Sequence, residues 1–171
     1  SCNFKISKNL AIELNKLFLE VIISNGFDKE ALKLLKKKKN LRLVDATNYS
    51  YKEILRLVSS NEEFLVQTED FNKFSKNDFK VVSKRKPNSK QMRNLIFAFN
   101  ICRYTKSNAI VLARNESTVG IGSGQPSRLD SCQIAIDKMK KFMDSNEEVG
   151  AASDAFFPFV DGIEKLVQSG V

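Results

Sequence analysis

Histidine is missing from this chain of 171 residues. Metal centres and acid–base mechanisms lean on that side chain, so any enzymatic reading must place its proton chemistry on another residue or on another part of the protein. Cysteine is scarce. Cys2, Cys102 and Cys132 are odd in number, far apart and without a CxxC pair, which argues against a disulfide framework and against a zinc cage. The pattern fits three small core-filling residues in a reducing cytosol. No apolar run approaches the roughly 20 residues of a membrane-spanning helix, and the start SCNFKISKNL lacks the charged-then-apolar layout of a signal peptide. The expectation is a soluble, cytoplasmic protein that does not enter a membrane.

What is present supports a packed core. The hydrophobic share of 42% is ordinary for a globular chain, and the length suits one domain or one large piece of a bigger one. The net charge of +8 admits nucleic acid, acidic membrane or phosphorylated metabolites as partners without choosing among them. The run Lys36–Lys39 follows an apparent helix, where cations complement the macrodipole. A solvated helix end explains it better than a nucleic-acid patch.

Strand-like and helix-like patterns alternate along the chain, which places it in the α/β class. Leu10, Leu14, Leu17, Phe18 and Val21 recur at helical spacing, and Val21-Ile22-Ile23 reads as a short buried strand. Asp28 is placed to cap a second helix with Ala31, Leu32 and Leu35 inward and Asn40 near its stop. LRLV at Leu41–Val44 alternates like a strand. From Ala46 to Asn77 the signal weakens to a short helix near Lys52–Val58 and a strand at Phe64–Gln67. FKVVSKRKP reads as a strand ending in a basic cluster before Pro87. Met92, Leu95, Ile96, Phe99 and Cys102 then mark a long amphipathic helix. NAIVLA and STVGIG are two strands joined by RNES. Leu129, Cys132, Ala135, Ile136 and Met139 share a helix face, a strand follows near Gly150–Ser153, and the last helix ends at Gly170.

Three of the seven glycines fall in GIGSGQPSRLDS, at 120, 122 and 124. Glycine permits close backbone approach and positive φ. The helix that follows turns free N–H groups toward the loop, and Arg128 adds a planar fork of donors for phosphate or carboxylate. The spacing matches neither a P-loop nor GxGxxG. A tight strand-to-helix turn and an anion site therefore both stand as readings. Two neighbours share its setting: Lys106, Ser107 and Asn108 precede a strand, and Asp154 and Asp161 flank the aromatic turn AFFPFV. All three segments are strand-end turns, where α/β proteins hold ligands. FFPF would ordinarily plug a core, but beside carboxylates it can also form a wall for a flat heterocycle.

Taken in order, KSNAIVLA, TVGIGSGQPSRLDS and SDAFFPFVDG resemble the AICAR formyltransferase domain of the bifunctional purine-biosynthesis enzymes. LFLEVIIS, FDKEALKLLKKKKNLRLV and VVSKRKP resemble it too, so only about Ala46–Asn77 is uncommitted. The resemblance implies formyl transfer from 10-formyltetrahydrofolate to the 5-amino group of AICAR on the way to IMP. It implies cytidine-deaminase-like αβα layers around a mixed sheet, a homodimer with sites at the subunit interface, and no zinc. Carried over residue by residue, Glu20, Asn108, Arg128 and Phe156 fall on AICAR positions, and Leu129 and Asp161 on positions facing the folate cosubstrate. In some relatives a potassium ion lies near the segment matching Thr105, Ser107 and Asp154.

The family's Lys-His catalytic pair has no counterpart among these residues, in keeping with the missing histidine. The expectation is that residues 1–171 form an internal piece of the transferase domain, incomplete at both ends. Such a piece would be inactive alone and prone to self-association, while the parent would also carry IMP cyclohydrolase. Each chosen residue has a plainer alternative. Phe156 and Phe157 could be core, Glu20 solvated, and Asp154 or Asp161 a cap, with Asp161 well placed as the N-cap of the last helix. The rival function is a non-catalytic nucleotide or nucleic-acid binder. Lysines clustered away from the aromatics count against nucleic acid.

Overall fold

A computed structural model describes residues 1–50, 55–70, 72, 74–142 and 148–171. They divide into two units, Ser1–Asp70 and Phe71–Val171. In the first, helix α1 (Lys8–Asn15) begins at Ser7, whose hydroxyl accepts the Leu10 N–H. The apolar periodicity continues past its end, but the helix does not. Lys38 Nζ donates to the carbonyls of Asn15 and Leu17 at 2.7 and 2.9 Å, occupying groups that another turn of helix would have used. Leu17 and Phe18 are left exposed, Phe18 at 91%.

Strands β1 (Val21–Ser24) and β2 (Arg42–Asp45) pair in parallel across helix α2 (Lys29–Leu35). Burial along β1 alternates, with Ile22 and Ser24 inside and Val21 and Ile23 outside. The three-residue apolar run is thus a half-buried strand, because the helices of this unit cover one face. Ile6, Ala11, Ile22, Ala31 and Leu35 form the core. Asp28 occupies the N-cap of α2 without capping it; its carboxylate pairs with Lys5 Nζ at 3.0 Å.

Strands β3 (Leu55–Ser60) and β4 (Glu63–Thr68) form an antiparallel hairpin that turns through Asn61 at φ +54°. The strand expected at Phe64–Gln67 lies within β4. The helix expected over Lys52–Val58 does not form across 55–58, which belong to β3, and 52–54 lie outside the described residues. Alternating Leu55 and Leu57 pair opposite Thr68 and Val66, so a period of two prevails over the helical one.

In the second unit a 3₁₀ turn (Lys76–Asp78) leads into Phe79–Ser83. That segment is extended at Phe79, bends at Ser83 and joins no ladder among the described residues, so FKVVS is not the strand its pattern suggests. The Phe79 ring instead packs edge-on to Phe74 and Phe99. The Asn100 amide takes the Phe74 N–H and donates to its carbonyl. Helix α3 (Ser89–Cys102) opens with a reciprocal capping box between Asn88 and Gln91. Its innermost stripe is Asn94, Ala98 and Cys102, flanked by the expected apolar positions.

Strands β5 (Ile110–Arg114), β6 (Ser117–Gly122) and β7 (Gly150–Ser153) form an antiparallel sheet in the order β6-β5-β7. Asn115 and Glu116, both at positive φ, make the two-residue turn between β5 and β6. β5 is buried on both faces. Ile110 and Leu112 pack on helix α4 (Arg128–Phe142) and on Leu166 of helix α5 (Asp161–Gln168), while Ala109, Val111 and Ala113 pack on α3. The result is an αβα sandwich. The described strands pair in parallel for β1–β2 and antiparallel elsewhere, in keeping with the expected α/β class. Among the described residues no helix is long and apolar enough to cross a membrane.

Candidate functional site at the strand ends of the second unit

The glycine series divides by position. A Cβ on Gly122 would stand 2.6 Å from the Ser131 carbonyl carbon and nearer still to its oxygen; one on Gly120 would meet Ala135 in the same way. These two glycines let α4 lie directly on β6. Only Gly124, at φ +68° and with just the Lys106 side chain at ordinary contact distance, serves the turn. The close approach inferred for the loop is therefore made by the helix backbone, and positive φ is needed at one position of three.

α4 begins at Arg128. Its Nη1 donates to Ser153 Oγ at 2.8 Å and to Asp154 Oδ1, and its Nη2 donates to Asn108 Oδ1 at 2.9 Å. The Arg128–Asp154 pair is sheltered, with side chains 10% and 14% exposed. Asn108 is also fully engaged. Its Nδ2 donates to the carbonyls of Gln125 and Pro126, both at 2.9 Å, and its own carbonyl accepts the buried Ser131 hydroxyl at 2.8 Å. Asp154 further accepts the Ala109 N–H at 3.0 Å and the Ser107 hydroxyl. Burial pushes its carboxyl pKa up, but the Ser107, Ala109 and Arg128 donors outweigh that and hold it below the ordinary carboxylate value.

Beside this network lies a cavity of about 410 Å³ lined by Asn108, Arg128, Leu129, Phe156, Phe157 and Asp161, among others. Phe156 is 80% exposed at its edge. Phe157 is packed, its ring meeting Gly162 and lying 6.0 Å from the Arg128 guanidinium carbon. Asp161 is the first residue of α5, not its N-cap, which is Val160; its carboxylate accepts the Gly162 N–H at 2.7 Å. Five residues singled out from the sequence thus share one cavity. Glu20 belongs to the first unit, exposed just before β1, with its carbonyl accepting the Arg42 N–H.

Ser107 and Asp154 are joined by a hydrogen bond, and Thr105 stands just past the end of α3. The Thr105 hydroxyl donates back to the Ile101 carbonyl, and the Asp154 oxygens already take three partners. These bonds use the hydroxyl hydrogens and leave lone pairs on the Thr105, Ser107 and Asp154 Oδ2 oxygens, which are ligand types a potassium ion accepts. Ser153 and Ser131, which hold Arg128 and Asn108, were missed from the sequence. Each is an ordinary serine within its element, and only the tertiary pairing marks it.

Fold and cavity together define an α/β protein whose candidate site is built from strand-end turns. Residues 1–138 match the model of the AICARFT/IMPCHase bienzyme family. The chain is 41% identical over 169 residues to the bifunctional purine biosynthesis protein PurH of Aquifex aeolicus (strain VF5). It is 40% identical over 173 residues to that of Persephonella marina (strain DSM 14350 / EX-H1) and 38% over 171 to that of Chlorobium phaeobacteroides (strain BS1). Each match covers 99% of this chain and 33%, 33% and 32% of the respective relative, so the chain spans about a third of their length. This chain belongs to the AICARFT/IMPCHase bienzyme family.

Proposed function

We propose that the chain carries part of the site at which a formyl group passes from 10-formyltetrahydrofolate to the 5-amino group of AICAR in purine (IMP) biosynthesis. One observation carries the reading: Asn108, Arg128, Leu129, Phe156 and Asp161, drawn from three separate strand-end segments, line a single cavity. Arg128 supplies fixed positive charge, and the exposed ring of Phe156 offers a face to a flat heterocycle. Leu129 and Asp161 form the folate side. Glu20 joins the AICAR contacts in the working homodimer, a cytoplasmic assembly.

With no histidine, the chain's own share is binding and orientation, and the base that deprotonates the attacking amine comes from outside these 171 residues. Two measurements test this. The chain alone should transfer no formyl group. In the full chain Phe156→Ala should weaken AICAR binding by calorimetric titration, since stacking on an aromatic is worth about 1–3 kcal/mol per base. Phe142→Ala, equally exposed and outside the cavity, should leave it unchanged. Turnover by the chain alone, or unchanged AICAR affinity in Phe156→Ala, would overturn the reading.

A further inference from the structure

A guanidinium has five N–H donors. In Arg128 both Nη1 donors are committed, to Ser153 and Asp154, and one Nη2 donor goes to Asn108. What remains is Nε–H and one Nη2–H, and with Nη1 filled the side-on edge of Nε and Nη2 is the edge left for a bidentate grip on an acceptor. The end-on edge is consumed by the protein. Asp154 is itself anchored at both oxygens, Oδ1 by the Ala109 N–H and Oδ2 by the Ser107 hydroxyl, so the guanidinium docks against a held group.

We propose that Asp154 is a positioning residue. It fixes Arg128 through Nη1 so that the Nε–Nη2 edge is the one offered to an acceptor oxygen of AICAR. The proposal rests on the reading that Arg128 contacts AICAR, and it gives Asp154 a role that needs no cation. A sheltered arginine without its counter-charge would be costly to keep in place. A guanidinium held only by the neutral Ser153 and Asn108 would lose the fixed orientation that makes bidentate contact productive.

The test is a double-mutant cycle in the full chain, reading AICAR and 10-formyltetrahydrofolate affinity by calorimetry in potassium and in choline buffers. Arg128→Gln should weaken AICAR binding by about ten- to a hundredfold. Asp154→Asn should weaken it by about tenfold, and the double variant should be no weaker than Arg128→Gln alone. Folate affinity should not follow either change. Losses that multiply in the double variant would show Asp154 acting independently and overturn the proposal. So would a loss in Asp154→Asn that depends on the buffer cation, because Asp154 would then act through potassium. If Arg128→Gln leaves AICAR affinity unchanged, the underlying reading of Arg128 fails instead. Should Asp154→Asn not fold, Ser153→Ala removes one Nη1 bond while keeping the ion pair. It should lower AICAR affinity only when Arg128 is present, and an effect that persists without Arg128 overturns the proposal.

Discussion

Replacing Gly122 by alanine adds one methyl group where the structure has no space for it. By strand propensity alone the change would help slightly, since glycine inside regular structure costs roughly 0.5–1 kcal/mol relative to alanine. Packing reverses the sign. The new Cβ would lie 2.6 Å from the Ser131 carbonyl carbon and 2.7 Å from its Cα, whereas ordinary contact starts at 3.4 Å. These are backbone atoms of α4 and cannot rotate away, so strand and helix must part by close to an ångström. A radial gap of about that size forfeits a quarter to a half of each dispersion contact across it. The contacts at risk join β5 to Cys132, Ala135, Ile136 and Met139. Overpacking usually costs about 1–3 kcal/mol, and a rigid obstacle on both sides puts this case at the upper end. For a chain of this length ~3 kcal/mol corresponds to a fall in Tm of about 6–12 °C. Thermal unfolding followed by circular dichroism at fixed concentration measures it. Gly124→Ala is the control, where a Cβ would meet only Lys106 Cδ at an ordinary 3.7 Å but φ is +68°, and left-handed strain there is worth about 1–2 kcal/mol. The reasoning is refuted if Gly122→Ala unfolds within a degree or two of the parent, or proves milder than Gly124→Ala.

Two further outcomes follow from the buried groups. Asp154 has its pKa depressed on folding, so its contribution to stability is present above the unfolded carboxylate value near 3.8 and is lost as pH falls through the folded value. Denaturant titrations across that acid window should show stability falling with pH, and Asp154→Asn should flatten the slope; an unchanged slope counts against the ion pair. Burial, with Asp154 nearby and Arg128 opposing, pushes the Cys102 thiol up to about 11, and burial likewise raises Cys132. A thiol reagent near pH 8 should therefore label the half-buried Cys2 first, and the other two only on unfolding, as mass spectrometry of timed samples would show.

Whatever was encoded within a short window could be read from the sequence. The apolar run of NAIVLA, the punctuation at RNES and the helical faces beyond Pro87 and Arg128 each specify an element with its nearest neighbours. Windows whose outcome depends on distant chain were misread. Residues 55–58 fit a helix until their partners 65–68 are known, and α1 stops where Lys38 reaches its carbonyls. FKVVS has a strand's composition but no ladder partner among the described residues. At the site, the residue types and the three converging segments were visible. Which glycines face a helix, and which of two adjacent phenylalanines is packed, were not. A single sequence position carries no record of what lies across from it.

The sheet order bears on how this site comes into being. β5 and β6 are separated by a two-residue turn, so their pairing closes almost no loop. β7 reaches β5 with Ser153 opposite Ile110, across more than forty intervening residues. Closing that loop is the entropically expensive contact of the sheet, and Ser153 and Asp154 travel with it. A chain that has made its hairpin and laid α4 upon it already presents Arg128, yet still lacks the acid and the hydroxyl that hold it. Completion of the arginine's surroundings therefore coincides with that long-range closure of the sheet.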